Sequence, residues 1–244
     1  LINLEDEEKI NRLYNKGYQL KTENVGQKVY YRGIIEFSNI CEKNCNYCGI
    51  RADNDNVNRY FMDREEILES AQFIYDNNYG SLVLQSGERT DDEYIAFVDE
   101  IIKKIKELSN GELGITLSLG EQDRETYQRW FDLGAHRYLL RIESSNRELY
   151  QSIHPEDHDF ERRVKCLENL RDIGYQVGTG VMIGIPGQST EDLIDDILFF
   201  AEQSIDMIGM GPYVIHEETP IVQEINDRDK LKERNLDWGL KMVA

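Results

Sequence analysis

No stretch of the 244 residues approaches the roughly 18 consecutive apolar side chains that a membrane-spanning helix requires. No basic segment followed by a short apolar one marks a secretory signal. Positive charge is also in short supply: 28 Lys and Arg against 47 Asp and Glu leave a formal charge of −19. A phosphate backbone is held by clustered Lys and Arg, so nucleic acid is not expected as a partner. Cysteine is scarce too. The chain has four, and three of them stand in CEKNCNYC, Cys41 to Cys48. Three clustered thiols cannot all pair with one another, which argues against a disulfide framework and for a reducing, cytoplasmic setting. No linker, low-complexity tract or repeat divides the chain, so a single domain over residues 1–244 is expected. The chain begins at Leu1 rather than Met and stops at Ala244 inside an apparent helix, so it is expected to be cut short.

What is present is an ordinary globular balance, 40% hydrophobic and 31% charged, arranged as alternating short apolar runs and helical periods. A helix over residues 4–17, most clearly Leu4–Tyr14, precedes the first strand, Val29–Phe37. Asp63 then caps a helix whose apolar face carries Ile67, Ala71 and Ile74. Strands follow at Ser81–Gln85, Gly114–Leu119, Arg137–Glu143, Gly178–Ile185 and Met207–Tyr213, separated by helical patterns that include Asp123–Leu133 and Phe160–Ile173. A further helix is expected near Leu236. Six strands alternating with helices imply an α/β fold with a parallel sheet and helices outside it. A barrel and an open doubly wound sheet both place their chemistry at the C-terminal edge of the strands. Periodicity alone does not separate the two.

The cysteine triplet begins four residues after Phe37, in the first loop of that edge, with the spacing C-x3-C-x2-C. A structural zinc site would want four ligands, usually as two separated pairs, and no second pair exists. A nucleophilic cysteine would not need two neighbours at fixed spacing. Cys166, between Lys165 and Leu167 on an expected helix, reads as an ordinary buried or half-buried thiol. A 4Fe-4S cluster normally takes four thiolates, so three leave one iron with an open position for a small molecule.

With Tyr47 before its last cysteine, this triplet after the first strand resembles the signature of the radical S-adenosylmethionine (SAM) enzymes. QSGE (Gln85–Glu88) resembles the family's GGE-type segment with one glycine replaced by serine, and GVMIGIPGQST resembles its adenosine-side segment. YRGIIEFSNICEKNCNYCGIRADN, SLGE, RYLLR and DMIGMGPYVIHEETP extend the resemblance over about Val25 to Ala244. They narrow it to the HydE type, the FeFe-hydrogenase maturases related to biotin synthase and methylornithine synthase. The resemblance implies a TIM-like (β/α) barrel, of which about six of the eight units lie in this chain. It also implies a 4Fe-4S cluster on Cys41, Cys45 and Cys48, and SAM on the open iron, cleaved by one electron to a 5′-deoxyadenosyl radical.

The same resemblance assigns SAM contacts to Tyr47, Ser86, Gly87, Glu88, Glu143, Arg163 and Gly184, and substrate contacts to Gln85, Thr116, Arg137, Arg141 and Met207. Alternation places Arg137, Arg141 and Glu143 on one face of the fourth strand, either as an anionic-substrate anchor or as a buried ion-pair network. Arg163, taken by itself, reads as a solvated helix charge. His136, His154, His158 and His216 show no ligand spacing and read as surface or loop residues. The sequence has Ile142-Glu143-Ser144 where the subfamily often has His-Glu-Thr. The implied partners are a small organometallic anionic substrate, a reductant such as flavodoxin or ferredoxin, and companion maturases, with no membrane. A methylornithine synthase-like enzyme is the alternative within the family. A non-catalytic metal-binding scaffold is the alternative outside it, and would leave QSGE, Glu143 and GIPGQ without a purpose.

Overall fold

The computed structural model describes residues 1–156 and 158–244. Its main sheet contains β1 (Gly33–Ser38), β2 (Ser81–Ser86), β3 (Gly114–Ser118), β4 (Ala135–Leu139), β5 (Gln176–Thr179) and β7 (Met207–Ile208). They pair in parallel in the order β1-β2-β3-β4-β5-β7. Strand order that follows chain order settles the question periodicity left open. A doubly wound sheet reverses direction at a switch point, whereas a barrel adds each strand beside the last. β6 (Met182–Ile183) and β8 (Gly211–Pro212) form a separate parallel pair.

Each strand puts its apolar alternates on one face. Ile35 and Phe37, Leu82 and Leu84, Ile115 and Leu117, with Tyr138 and Val177, are buried against the outer helices. Those helices are α2 (Arg64–Asp76), α3 (Asp92–Leu108), α4 (Arg124–Asp132) and α6 (Phe160–Ile173). Their starts are set locally: Asp63, Asp91, Asp123 and Asp159 each accept a backbone N–H of the first turn. The other face, toward the barrel axis, carries Glu36 opposite Gln85 and, one step along, Thr116 opposite Arg137. It is therefore a polar concavity lined by strand residues.

The remaining helices are α1 (Glu7–Val25), α5 (Arg147–Ile153), α7 (Thr190–Glu202) and α8 (Arg228–Val243), with a 3₁₀ turn at Pro220–Glu224. The N-terminal helix thus runs well past the expected residue 17, and the last one starts eight residues before Leu236. Val29, Tyr30 and Tyr31 are exposed and lie outside β1, because the pairing to β2 begins only at Gly33. Two long expected strands are broken. Past Thr179 and past Ile208 the chain leaves the main sheet together, and β6 pairs with β8 instead. The helix α5 has no counterpart in the sequence reading, since seven residues are too few to display a period. Among the described residues no helix is long and apolar enough to cross a membrane.

Candidate functional site

The cysteine loop leaves the C-terminal end of β1 and folds over the sheet edge. The Cys48 N–H donates to the Cys45 carbonyl at 3.0 Å, closing a tight turn between the two cysteines. The Asn46 N–H reaches the Ile153 carbonyl at the end of α5, and Ile221 N–H reaches the Asn46 carbonyl. Arg59 fastens the loop from behind. Its Nη1 donates to the carbonyls of Asn39 and Ile50 at 2.7 and 2.8 Å, and its Nη2 to those of Arg51, Ala52 and Asn54.

Cys41, Cys45 and Cys48 are free thiols, each half-buried. The amides of Lys43 and Glu88 both point at Cys41 Sγ at 3.4 Å. Amides aimed at a sulfur stabilise the thiolate and suit metal ligation. Burial nevertheless pushes all three thiols up, Cys45 to about 12. A cationic metal must therefore displace their protons. The donor set fits an iron–sulfur cluster: three thiolates on one loop, with inward amides. Gly87 enables the approach of the second loop, since a Cβ there would collide with the Ile40 carbonyl and the Cys41 side chain.

Around this loop the structure gathers several of the expected SAM contacts. Glu88 is buried, and that burial pushes its carboxyl up; its Oε1 lies 3.6 Å from Lys43 Nζ. Glu143 is also buried, and grips Arg141 with both oxygens, Nε at 2.7 Å and Nη2 at 2.9 Å. Tyr47 stands beside both Cys45 and Glu143. Arg163 is no solvated helix charge. It is 8% exposed, donates to Glu121 at 2.6 Å and to the Arg141 carbonyl at 2.9 Å, and sits close to Glu88, Tyr47 and Tyr150. The other two expected contacts, Ser86 and Gly184, have partners within the fold. The Ser86 hydroxyl bonds Tyr94 at 2.6 Å, turned toward the core. Gly184 packs on α8 with its N–H bonded to Gln188 and its carbonyl to Arg234.

The expected substrate residues are spread along the concave face. Gln85 donates to Glu36 at 2.9 Å, Thr116 is buried with its hydroxyl unpartnered among the described residues, and Met207 packs beside Gly178. Arg137 and Arg141 do not meet. β4 ends at Leu139 rather than Glu143, and four residues of extended chain span about 13 Å. Arg137 Nε donates to Gln176 near the opposite end of the strand, while Arg141 Nη1 donates to the Gly209 carbonyl at 2.8 Å. Arg141 borders an open cavity of about 380 Å³ together with Tyr47, Met182 and Tyr213.

Two histidines require correction. His136 and His216 are exposed, but His154 and His158 are each only 3% exposed and pack against each other beside the cysteine loop. Burial lowers both imidazoles to about 3. Their placement depends on α5, the helix without a visible period. Glu121 and Arg59 were also not singled out as site residues. A signal for Glu121 existed: SLGE after β3 repeats the strand–glycine–glutamate arrangement of QSGE after β2.

The FeFe-hydrogenase maturase subunit HydE of Thermotoga maritima is 43% identical over 233 residues, which cover 95% of this chain and 63% of HydE. The chain thus spans less than two thirds of that relative. The 3-methylornithine synthase of Methanosarcina acetivorans is 26% identical over 246 residues, all of this chain and 67% of that protein. The crystal structure of methylornithine synthase PylB superposes with a TM-score of 0.84 at 24% identity, covering 96% of this chain and 72% of that one, which supports the fold. Residues 35–200, well over half of the chain and including the whole cysteine loop, match the radical SAM superfamily, and the chain belongs to that superfamily.

Proposed function

We propose that this chain is the barrel core of a HydE-type FeFe-hydrogenase maturase. Cys41, Cys45 and Cys48 would hold a 4Fe-4S cluster, and SAM would bind beside it. The observation that carries the reading is the 43% identity to HydE along 95% of the chain, against 26% for the methylornithine synthase. When bound, the cluster and SAM supply one-electron cleavage of the sulfonium and a 5′-deoxyadenosyl radical. The chain's own residues would then bind and orient. The Gly87–Glu88 backbone, Glu143 and Arg163 would contact SAM, and Arg163 keeps one guanidinium nitrogen without a hydrogen bond among the described residues. Arg141, at the cavity beside Tyr47, would meet an anionic substrate, a small organometallic iron species. Gln85, Thr116, Arg137 and Met207 would line the deeper concave face. The physiological setting would be a reducing cytoplasm, with a flavodoxin- or ferredoxin-like electron donor and companion maturases.

The test is anaerobic reconstitution. About four irons per chain are expected, with none retained in Cys45→Ala. SAM should alter the electron paramagnetic resonance (EPR) spectrum of the reduced cluster, and dithionite should then release 5′-deoxyadenosine. Tightly held zinc with no iron uptake would defeat the assignment. A methylornithine synthase-like enzyme is the second reading, on the 26% identity to that enzyme along the whole chain. Consumption of lysine under turnover conditions would select it over the maturase.

A further inference from the structure

His154 and His158 face the same loop but carry their protons differently. His154 Nδ1 lies 2.8 Å from the Tyr150 carbonyl, which can only accept, so Nδ1 holds the hydrogen. Its Nε2 is then bare and accepts from the Tyr47 hydroxyl at 3.2 Å. His154 is fully engaged and has no N–H left for a sulfur. His158 is the reverse. Its Nδ1 is buried without a partner among the described residues, and its Nε2 lies 3.8 Å from Cys45 Sγ. A hydrogen on Nδ1 would be a buried donor with no acceptor, which is costly. A hydrogen on Nε2 has a sulfur to meet. The geometry therefore points to a hydrogen on Nε2, directed at Cys45.

We propose that His158 is a positioning residue for the cluster, donating its Nε2–H to the Cys45 sulfur and thereby raising the reduction potential of the iron–sulfur centre. The inference rests on the cluster assignment above. A reduced cluster carries more negative charge on its sulfurs than an oxidised one, so an N–H donor stabilises the reduced state more. The ring is supplied from 113 residues along the chain and packs against His154, with ring centroids 4.8 Å apart and planes tilted by 35°. The donor's direction is thus set by packing, independently of the cysteine loop's own backbone.

The test compares reconstituted wild-type protein with His158→Phe, which keeps an aromatic ring without N–H, and His158→Gln, whose amide restores a donor. Iron per chain and the midpoint from an EPR-monitored redox titration are measured for each. The expected result is full iron in His158→Phe with a midpoint more negative than wild type, and a return toward wild type in His158→Gln. Full iron with an unmoved midpoint in His158→Phe would overturn the inference and leave a packing role. If His158→Phe fails to fold or load, wild-type protein labelled with 15N-histidine decides. Pulsed EPR of the reduced cluster should show a weak 15N coupling that disappears in His158→Gln, and absence of the coupling in wild type would overturn the inference. Wild-type protein that takes up no iron would remove the cluster assignment itself, and this inference with it.

Discussion

Glu143 clasps Arg141, two residues before it, through both carboxylate oxygens, at 2.7 and 2.9 Å. The pairing follows from the backbone. Glu143 has φ 64, a left-handed conformation that few residues other than glycine adopt. Its N–H donates to the Gly180 carbonyl and its own carbonyl accepts from Met182, so the neighbouring segment holds it there. Such a conformation costs about 1–3 kcal/mol and persists where its surroundings enforce it, often at functional sites.

This contact makes the expected SAM residue and the expected substrate residue one unit. Glu143→Gln and Arg141→Lys should each weaken SAM binding, since lysine keeps the charge but cannot bridge both oxygens. A charge-assisted bond is worth about 1.5–3 kcal/mol, so each loss should be roughly tenfold or more. The double variant should lose less than the sum of the two, because both singles break the same pair. Calorimetric titration of SAM into the four reconstituted proteins checks this. Additive losses with unchanged iron would show two independent sites.

The strand–helix alternation, the Asp63 cap and the cysteine loop are legible because each has a local chemical signature: a period, an Asp before a helix, a fixed thiol spacing. Strand order and therefore the barrel are not, since pairing is non-local. Arg163 shows the limit most clearly. Its helix has the bounds the sequence predicts, yet a single arginine in a first turn carries no sign of burial until Glu121 is brought to it from the loop after β3. His154 and His158 fail for the same reason, with the added difficulty that α5 is too short to be seen. Glu143 was placed on a strand by alternation, but the break in the pleat that aims it is a tertiary effect.

Glu121 is 1% exposed and receives Arg163 at 2.6 Å and Arg162 at 3.1 Å. Removing its charge leaves Arg163 buried against a weaker acceptor, and breaking a buried pair costs about 3–5 kcal/mol. Glu121→Gln should therefore lower the urea midpoint of the cluster-free chain markedly. Arg163→Ala should weaken SAM binding with iron content preserved. Lost iron and unchanged SAM affinity in Arg163→Ala would assign it to structure alone.

Asp196 is fully buried under the turn after Glu143, accepting from the Ser145 N–H and hydroxyl at 2.7 Å, with Oδ2 unpartnered among the described residues. Burial raises its carboxyl from 3.8 to about 6. Between those values the folded chain holds a proton that the unfolded chain has released. This stabilisation is complete below about pH 4 and is lost as pH rises through about 6. Thermal melts of wild type and Asp196→Asn from pH 4 to 7.5 should show the variant gaining on wild type as pH rises. A difference independent of pH would contradict it.

Arg59 donates to five backbone carbonyls around the cysteine loop, spanning Asn39 to Asn54. No regular structure satisfies those carbonyls, so the guanidinium takes the place of a strand or helix as the loop's internal frame. Lysine has one nitrogen and three donors on a flexible stem, and cannot reach all five acceptors. Each lost charge-assisted bond costs about 1.5–3 kcal/mol, drawn mostly from the loop rather than from the outer core. Arg59→Lys should therefore lower the iron retained per chain after desalting, while the thermal midpoint of the cluster-free chain moves little. Glu42, exposed on the same loop and bonded to Thr90, is the control position, and Glu42→Gln should retain wild-type iron. Wild-type iron retention in Arg59→Lys would show that the turn at Cys45–Cys48 and its links to α5 hold the three thiols without this frame.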